Sequence, residues 1–213
     1  MQLSIFKKTP YQSRGNSPET APEKFDIIYC DPPWSYNDVV MRGASKVPTG
    51  SAEDHYPTMT NEELAAMNVQ GIAAKNCLCI MWTTSPHLET SIKLMNEWGF
   101  KYVCIGFVWH KQALLPSSYF MSSTELAIIG KRGAIPGGRP KGERSQLQFL
   151  SKMRTRHSAK PAEFRRRIER AFPKANKIEL FAREADPGWW CWGNQAPGGL
   201  DLPLLMNPDP LPW

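Results

Sequence analysis

The run Phe25-Asp26-Ile27-Ile28-Tyr29-Cys30-Asp31-Pro32-Pro33-Trp34 decides how the chain is read. Phe25–Cys30 is nearly all apolar or aromatic, as in a buried strand. Two prolines then end ladder pairing and hold the residues before them away from helix. The strand must therefore stop at Asp31 and hand over to a stiff, extended tetrapeptide. In an open α/β sheet, ligands bind at the carboxyl ends of the strands. A rigid carboxylate beside an aromatic face suits a planar base that carries an exocyclic amine. The amine would donate to Asp31 and to the Pro32 carbonyl, and Trp34 would offer a stacking surface. The same residues also read as a plain loop start with Trp34 as a lid on the core. The stretch alone leaves both readings open.

At 213 residues with 41% hydrophobic content, the chain can bury a core without staples. Its five cysteines, Cys30, Cys77, Cys79, Cys104 and Cys191, form no CxxC pair, and four of them sit in apolar runs. That points to reduced thiols rather than a disulfide framework or a zinc site. His55, His87, His110 and His157 are dispersed without ligand spacing, so no metal is expected. No charged-then-apolar amino-terminal signal and no apolar run of membrane-spanning length is present, so the expected location is cytoplasmic, with no membrane partner.

Charge placement says more than the total of +6. Between Lys131 and Lys177 stand 15 lysines and arginines against Glu143, Glu163 and Glu169, a net of +12, which leaves the remainder at −6. A basic block on an otherwise acidic chain suggests a polyanion, with nucleic acid first. The bland alternative is a solvated helix face, since Arg165, Arg166, Arg167 and Arg170 share one helix.

Around the opening strand the pattern alternates strands and helices. Residues 1–24 read as an extension or loop, and Ser35–Pro57 as a long loop hanging from the site. Thr60 and Glu63 form a capping box for a short helix through Met67. Cys77–Trp82 is a second strand. Ser85 then caps a helix with Pro86 in first position, an apolar stripe of Leu88, Ile92, Met95 and Trp98, and Gly99 at its end. Tyr102–Trp109 is a third strand, giving a βαβ unit. His110–Met121 reads as a loop, Glu125–Gly130 as a strand, and Lys131–Arg144 as a basic, Gly/Pro-rich loop. A short strand at Leu147–Leu150 and a helix from Pro161 with Phe164, Ile168 and Phe172 on one face follow. Strands at Ile178–Phe181 and Trp189–Gly193 come last. In that final strand Trp189, Trp190 and Trp192 fit core better than base stacking. Residues 25–195 are expected to form one domain, followed by a Pro-rich tail at 196–213.

Several separated motifs now fall in one order: Asp31-Pro32-Pro33-Trp34, Tyr56-Pro57-Thr58-Met59-Thr60, Trp82-Thr83-Thr84, Trp98-Gly99-Phe100 and Trp109-His110-Lys111. Glu125 ahead of Ile129-Gly130, His157-Ser158-Ala159-Lys160-Pro161, Ile178-Glu179-Leu180-Phe181-Ala182-Arg183 and Trp192-Gly193-Asn194-Gln195 complete the series. From Phe25 to Gln195 the sequence resembles the MT-A70 family of adenine-N6 methyltransferases, of the bacterial or bacteriophage kind. The resemblance implies an α/β, Rossmann-like methyltransferase fold with a mostly parallel central sheet flanked by helices. It also implies S-adenosyl-L-methionine as methyl donor and the exocyclic nitrogen of adenine as acceptor.

Carried over by position, Asp31, Pro32, Pro33 and Trp34 are the implied catalytic residues. Lys160 matches the lysine that meets the cofactor's methionine carboxylate. Arg183, Asn194 and Gln195 match groups around its ribose, with Glu179 nearby, and Tyr29 and Cys30 border it beside Asp31. Nucleic acid is expected at His55, Tyr56, Lys111, Lys131, Arg132, Arg139, Lys141 and Arg144. Glu125 reads either as a pocket residue or as an anchor for a neighbouring loop. His157 reads as a substrate or cofactor contact or as a helix cap.

DNA is preferred over RNA as the acceptor's carrier, with the base flipped out or unpaired and a phage or prophage origin expected. The alternatives are an RNA methyltransferase and a catalytically silent nucleic-acid-binding partner. A homodimer is a candidate assembly.

Overall fold

The computed structural model describes residues 21–35, 58–115, 119–138, 146–153 and 159–193. Seven strands form one sheet in the order β5-β3-β4-β2-β1-β6-β7. They are β1 (Phe25–Cys30), β2 (Ala73–Thr83), β3 (Lys101–Leu115), β4 (Ser122–Arg132), β5 (Phe149–Ser151), β6 (Lys177–Leu180) and β7 (Trp190–Trp192). The helices are α1 (Asn61–Ala65), α2 (Leu88–Glu97) and α3 (Ala162–Ala171). Pairing is parallel at β1·β2, β1·β6, β3·β5 and β6·β7, and antiparallel at both edges of β4. The sheet is thus mostly parallel and the fold is the Rossmann-like α/β arrangement expected.

The apolar run of β1 is explained by burial on both faces. Ile28 and Cys30 join Cys77, Cys79 and Met81 in a core capped by Leu64 of α1 and by Leu94 and Met95 of α2. Ile27 and Tyr29 point the other way, into a core of Leu78, Ile80, Trp82 and Trp109 capped by Phe164 and Ile168 of α3. Side-chain alternation along each strand sorts residues between these two layers.

Connectivity makes β1 the turning point. From β1 the chain builds β2 to β5 on one side, lying in the order β2, β4, β3, β5 outward, then returns through α3 to β6 and β7 on the other. The carboxyl end of β1 is therefore a topological switch point, the crevice where open α/β sheets bind ligands.

Three expectations need correction. β2 and β3 run parallel, as a βαβ unit requires, but β4 lies between them and pairs with both. The stretch from His110 is not all loop: β3 continues to Leu115 and pairs with β4 across register shifts, with Gln112 at φ 56°. Ser85 does not cap α2; Thr84 precedes a 3-10 turn, Ser85–His87, and makes no cap bond to it. Its hydroxyl bonds His87 Nδ1 at 2.9 Å instead.

Candidate functional site

Asp31 stands just beyond β1, flanked by β2 and β6. The prolines act as expected. Trp34 N–H donates to the Pro32 carbonyl at 2.9 Å, closing a γ-turn around Pro33. Met59 N–H donates to the Pro33 carbonyl at 2.9 Å and ties the tetrapeptide to the start of α1. Trp34 is 6% exposed, with its ring stacked on His87 at 5.6 Å. The structure thus places it in the core layer of α1 and α2, with one face covered.

The other charged groups arrive from the α3 side. Lys160, two residues before α3, places Nζ 2.6 Å from Asp31 Oδ2 and 3.2 Å from Glu125 Oε2. The other oxygen of Glu125 accepts from Lys111 Nζ at 3.1 Å. Lys160 Nζ also lies 5.5 Å from the centre of the Trp82 ring, within cation–π reach. Alternation explains the gathering. Trp109 and Ala127 belong to the α3-side core, so Lys111, two residues after Trp109, and Glu125, two residues before Ala127, face the same layer.

The electrostatics follow from burial against pairing. Burial pushes the Asp31 carboxyl up; Lys160 pulls it back, Glu125 pushes with burial, and the net shift is upward. For Glu125, burial also pushes up, but Lys160 and Lys111 outweigh it, and the carboxyl lies below its ordinary value. Burial opposes charge on Lys160, yet Asp31 and Glu125 prevail and raise its ammonium above the ordinary lysine value.

The remaining expected cofactor residues are dispersed in role. Tyr29 is buried; its hydroxyl accepts from Trp82 Nε1 at 2.6 Å, and burial raises it well above an ordinary tyrosine. Cys30 is fully buried on the α1/α2 side, its thiol pushed up by burial and by Cys79. Glu179, paired in register with Tyr29, is held by Arg165 Nη1 at 2.6 Å, and burial raises its carboxyl. Arg183 follows Phe181, whose φ of 60° turns the chain out of β6; its charge lowers the Asp31 carboxyl. Asn194 and Gln195 lie outside the described residues.

The expected nucleic-acid residues divide in the same way. Lys111 is 7% exposed and faces Glu125, a placement that turns it away from phosphate. Lys131 and Arg132 are not loop residues but the last of β4, opposite Leu78 and Cys77 near the amino half of β2. That is the far end of the sheet from Asp31, because β4 runs antiparallel. Arg132 there donates to the Gln70 carbonyl. His55, Tyr56, Arg139, Lys141, Arg144 and His157 lie outside the described residues.

Arg165 was grouped with a solvated helix face. It is largely buried instead, and its Nε lies 3.1 Å from Asp186 Oδ2 as well as its Nη1 beside Glu179. Two strand-borne acids, Glu125 and Glu179, would have flagged the buried lysines and arginine as their partners. A depression of about 660 Å³ lined by Lys174, Asn176, Lys177 and Trp190 opens at the amino ends of β6 and β7. Strand polarity puts it opposite Asp31, and it takes no part in the cluster. Among the described residues no group of His, Cys, Asp and Glu is placed to hold a metal ion, and no helix is long and apolar enough to cross a membrane.

Asp31 and Lys160 thus meet at the switch point of a mostly parallel sheet, the crevice where Rossmann-like α/β proteins bind ligands. The chain belongs to the MT-A70 methyltransferase family, whose profile matches residues 25–195. It is 37% identical over 204 residues to the type II methyltransferase M.MunI of a Mycoplasma species, covering 90% of this chain and 87% of that protein. It is 30% identical over 194 residues to the human N(6)-adenosine-methyltransferase catalytic subunit METTL3, covering 87% of this chain but 30% of METTL3. An MT-A70-like N(6)-adenosine-methyltransferase of Arabidopsis thaliana is 29% identical over 185 residues, with 24% of its length covered. The chain spans less than a third of these two adenosine methyltransferases.

Proposed function

We propose that this protein transfers a methyl group from S-adenosyl-L-methionine to the exocyclic N6 of adenine in DNA, with the base unpaired or flipped into the Asp31-Pro32-Pro33-Trp34 site. The observation that carries the reading is the Lys160–Asp31 pair at the switch point of the sheet. The residues present fit the cofactor: an ammonium for its carboxylate sits beside an acceptor for the amine, and both are partly shielded from water. DNA is preferred to RNA because the type II methyltransferase matches at higher identity and over most of its own length.

The cofactor supplies the activated methyl electrophile. The protein supplies alignment and charge. An adenine amine is a weak nucleophile because its lone pair is delocalised into the ring. Asp31 and the Pro32 carbonyl, by accepting from the amine, favour a tetrahedral nitrogen and stabilise the positive charge that develops on it. A carbonyl has two lone pairs, so the bond from Trp34 N–H leaves Pro32 able to accept a second donor. Lys160 would hold the cofactor's carboxylate, with Glu179, Arg183, Asn194 and Gln195 around the ribose and the backbone of Tyr29 and Cys30 bordering it beside Asp31. In this reading the Trp34 ring, buried against His87, braces the tetrapeptide.

The test is purified protein incubated with labelled cofactor and matched DNA and RNA oligonucleotides. Label in adenine N6 of DNA is expected, and label in RNA alone overturns the DNA assignment. Asp31→Ala should lower transfer by about 100-fold or more, while calorimetry shows cofactor affinity within a few-fold of wild type. Transfer that survives the substitution overturns the mechanism.

A further inference from the structure

Asp31 does not meet Lys160 in isolation. Lys160 is shared with Glu125, and Glu125 is shared in turn with Lys111, in an unbroken line of contacts at 2.6, 3.2 and 3.1 Å. Two carboxylates and two ammonium groups balance to zero in a region where the side chains of Lys111, Glu125 and Lys160 are 15% exposed or less. A buried lysine is costly unless paired. Lys160 alone could neutralise Asp31 without Glu125 or Lys111, so the two extra charges need a reason to be there. Glu125 places one oxygen on each lysine, which gives Lys160 Nζ a second carboxylate besides Asp31.

We propose that Glu125 and Lys111 are positioning residues, which hold the Lys160 ammonium at a fixed point against Asp31 and so fix the carboxylate that receives the acceptor amine. The proposal rests on the reading of Asp31 as the amine acceptor. It removes Lys111 from the nucleic-acid contacts and gives it a role through Glu125. Lys111 comes from the extended part of β3 and Glu125 from β4, so the hairpin beyond the core of the sheet is what delivers the support.

The groups that face the cluster set the direction of each effect. Asp31 faces Lys160 from the α3 side, Glu125 from β4 and Arg183 after β6, and its charge is felt by Tyr29 and Glu179. Glu125 faces Lys111 and Lys160. Removing the charge of Glu125 takes away a repulsion, so Glu125→Gln should let Asp31 ionise at lower pH. Removing Lys111 takes away half of Glu125's compensation, so Lys111→Met should make Asp31 ionise at higher pH. Opposite shifts show that both charges reach Asp31, and loss of kcat with recovery in Lys111→Arg separates positioning from a pair that merely props the hairpin.

The experiment is a carboxyl-carbon NMR titration of the full-length protein labelled at aspartate, with the Asp31 signal assigned by its loss in Asp31→Asn. Midpoints displaced by about half a unit to one unit, downward in Glu125→Gln and upward in Lys111→Met, are expected. In methyl transfer both variants should lose roughly 10- to 100-fold in kcat, and Lys111→Arg should recover most of it. Midpoints that stay put or move together overturn the proposal. Should the neutral variants not fold, Glu125→Asp and Lys111→Arg keep the charges; Glu125→Asp, one methylene shorter, should still lower kcat by roughly 10-fold, and wild-type kcat in Glu125→Asp counts against the proposal. Absence of transfer in the wild type would instead remove the functional reading, and the titration would still report on the cluster.

Discussion

At the level of single side chains, Asp31 and Glu125 are two carboxylates within reach of one ammonium, yet their environments push them in opposite directions. Burial leaves Asp31 above its ordinary value, whereas two lysines leave Glu125 below its own. A raised carboxyl means that the folded state disfavours the ionised form. Its contribution is fully present below the unfolded value of about 3.9 and is lost as pH rises through the folded one. Asp31→Asn should therefore melt at or above the wild-type temperature near neutral pH, with the gap closing on acidification. Glu125 has the opposite sign: its contribution is present above the unfolded value of about 4.3 and disappears as pH falls through the lowered folded one. Glu125→Gln should lose stability at neutral pH and converge with wild type in acid. Melting curves from pH 3 to 8 check both, and a destabilised Asp31→Asn at neutral pH would show that pairing with Lys160 outweighs burial. An acid kept at the site against the preference of the fold is what a functional acid looks like.

Among the elements, local signals worked where the chemistry is local. The Thr60–Glu63 capping box is present in both directions, at 3.2 and 2.9 Å, and Thr60→Ala should cost about 1 kcal/mol in chemical denaturation. Gly99 closes α2 at φ 79°, with Gly99 N–H on the Asn96 carbonyl and Phe100 N–H on the Met95 carbonyl. An added Cβ would stand 2.9 Å from the Gln70 side chain, so Gly99→Ala should cost about 1–2 kcal/mol from the left-handed backbone alone. A Gly99→Ala protein as stable as wild type would contradict that account. The strand of Phe25–Cys30 and its stop at Asp31 were equally legible, because a two-faced apolar run and two prolines are local facts. Register and polarity were not. Nothing in Lys131-Arg132 says that β4 runs antiparallel and carries them to the end of the sheet away from Asp31. The polar His110-Lys111-Gln112 broke the apolar pattern of β3, because beyond the sheet core a strand no longer has to be apolar to stay paired. Glu125 was visible as an acid in an apolar strand, but its two lysines come from 14 residues before and 35 residues after it in the chain.

Across the whole molecule, the basic block is a smaller binding surface than its count suggests. Lys160 is held by Asp31 and Glu125, and Arg165 by Glu179 and Asp186. Arg167 bonds the Leu147 and Phe149 carbonyls, and Arg170 bonds Gln146 and Glu163. Lys177, 6% exposed, donates to the Phe172 and Ala175 carbonyls. These groups tie α3 to the sheet and to the chain entering β5, and a cation already paired releases few counterions when nucleic acid arrives. Arg139, Lys141 and Arg144, between β4 and β5 in the sequence and outside the described residues, are further charges of the block. Replacing those three with glutamine should weaken oligonucleotide binding and flatten the plot of log affinity against log salt by roughly two to three units, about 0.9 per lost phosphate contact on duplex DNA. Replacing Lys131 and Arg132, at the opposite end of the sheet, should leave the slope within half a unit of wild type, about half of one such contact. Fluorescence anisotropy across a salt series separates the two. A steep loss from the Lys131 and Arg132 pair with none from the triple would assign the phosphate contacts to the far end of the sheet and take them away from Arg139, Lys141 and Arg144.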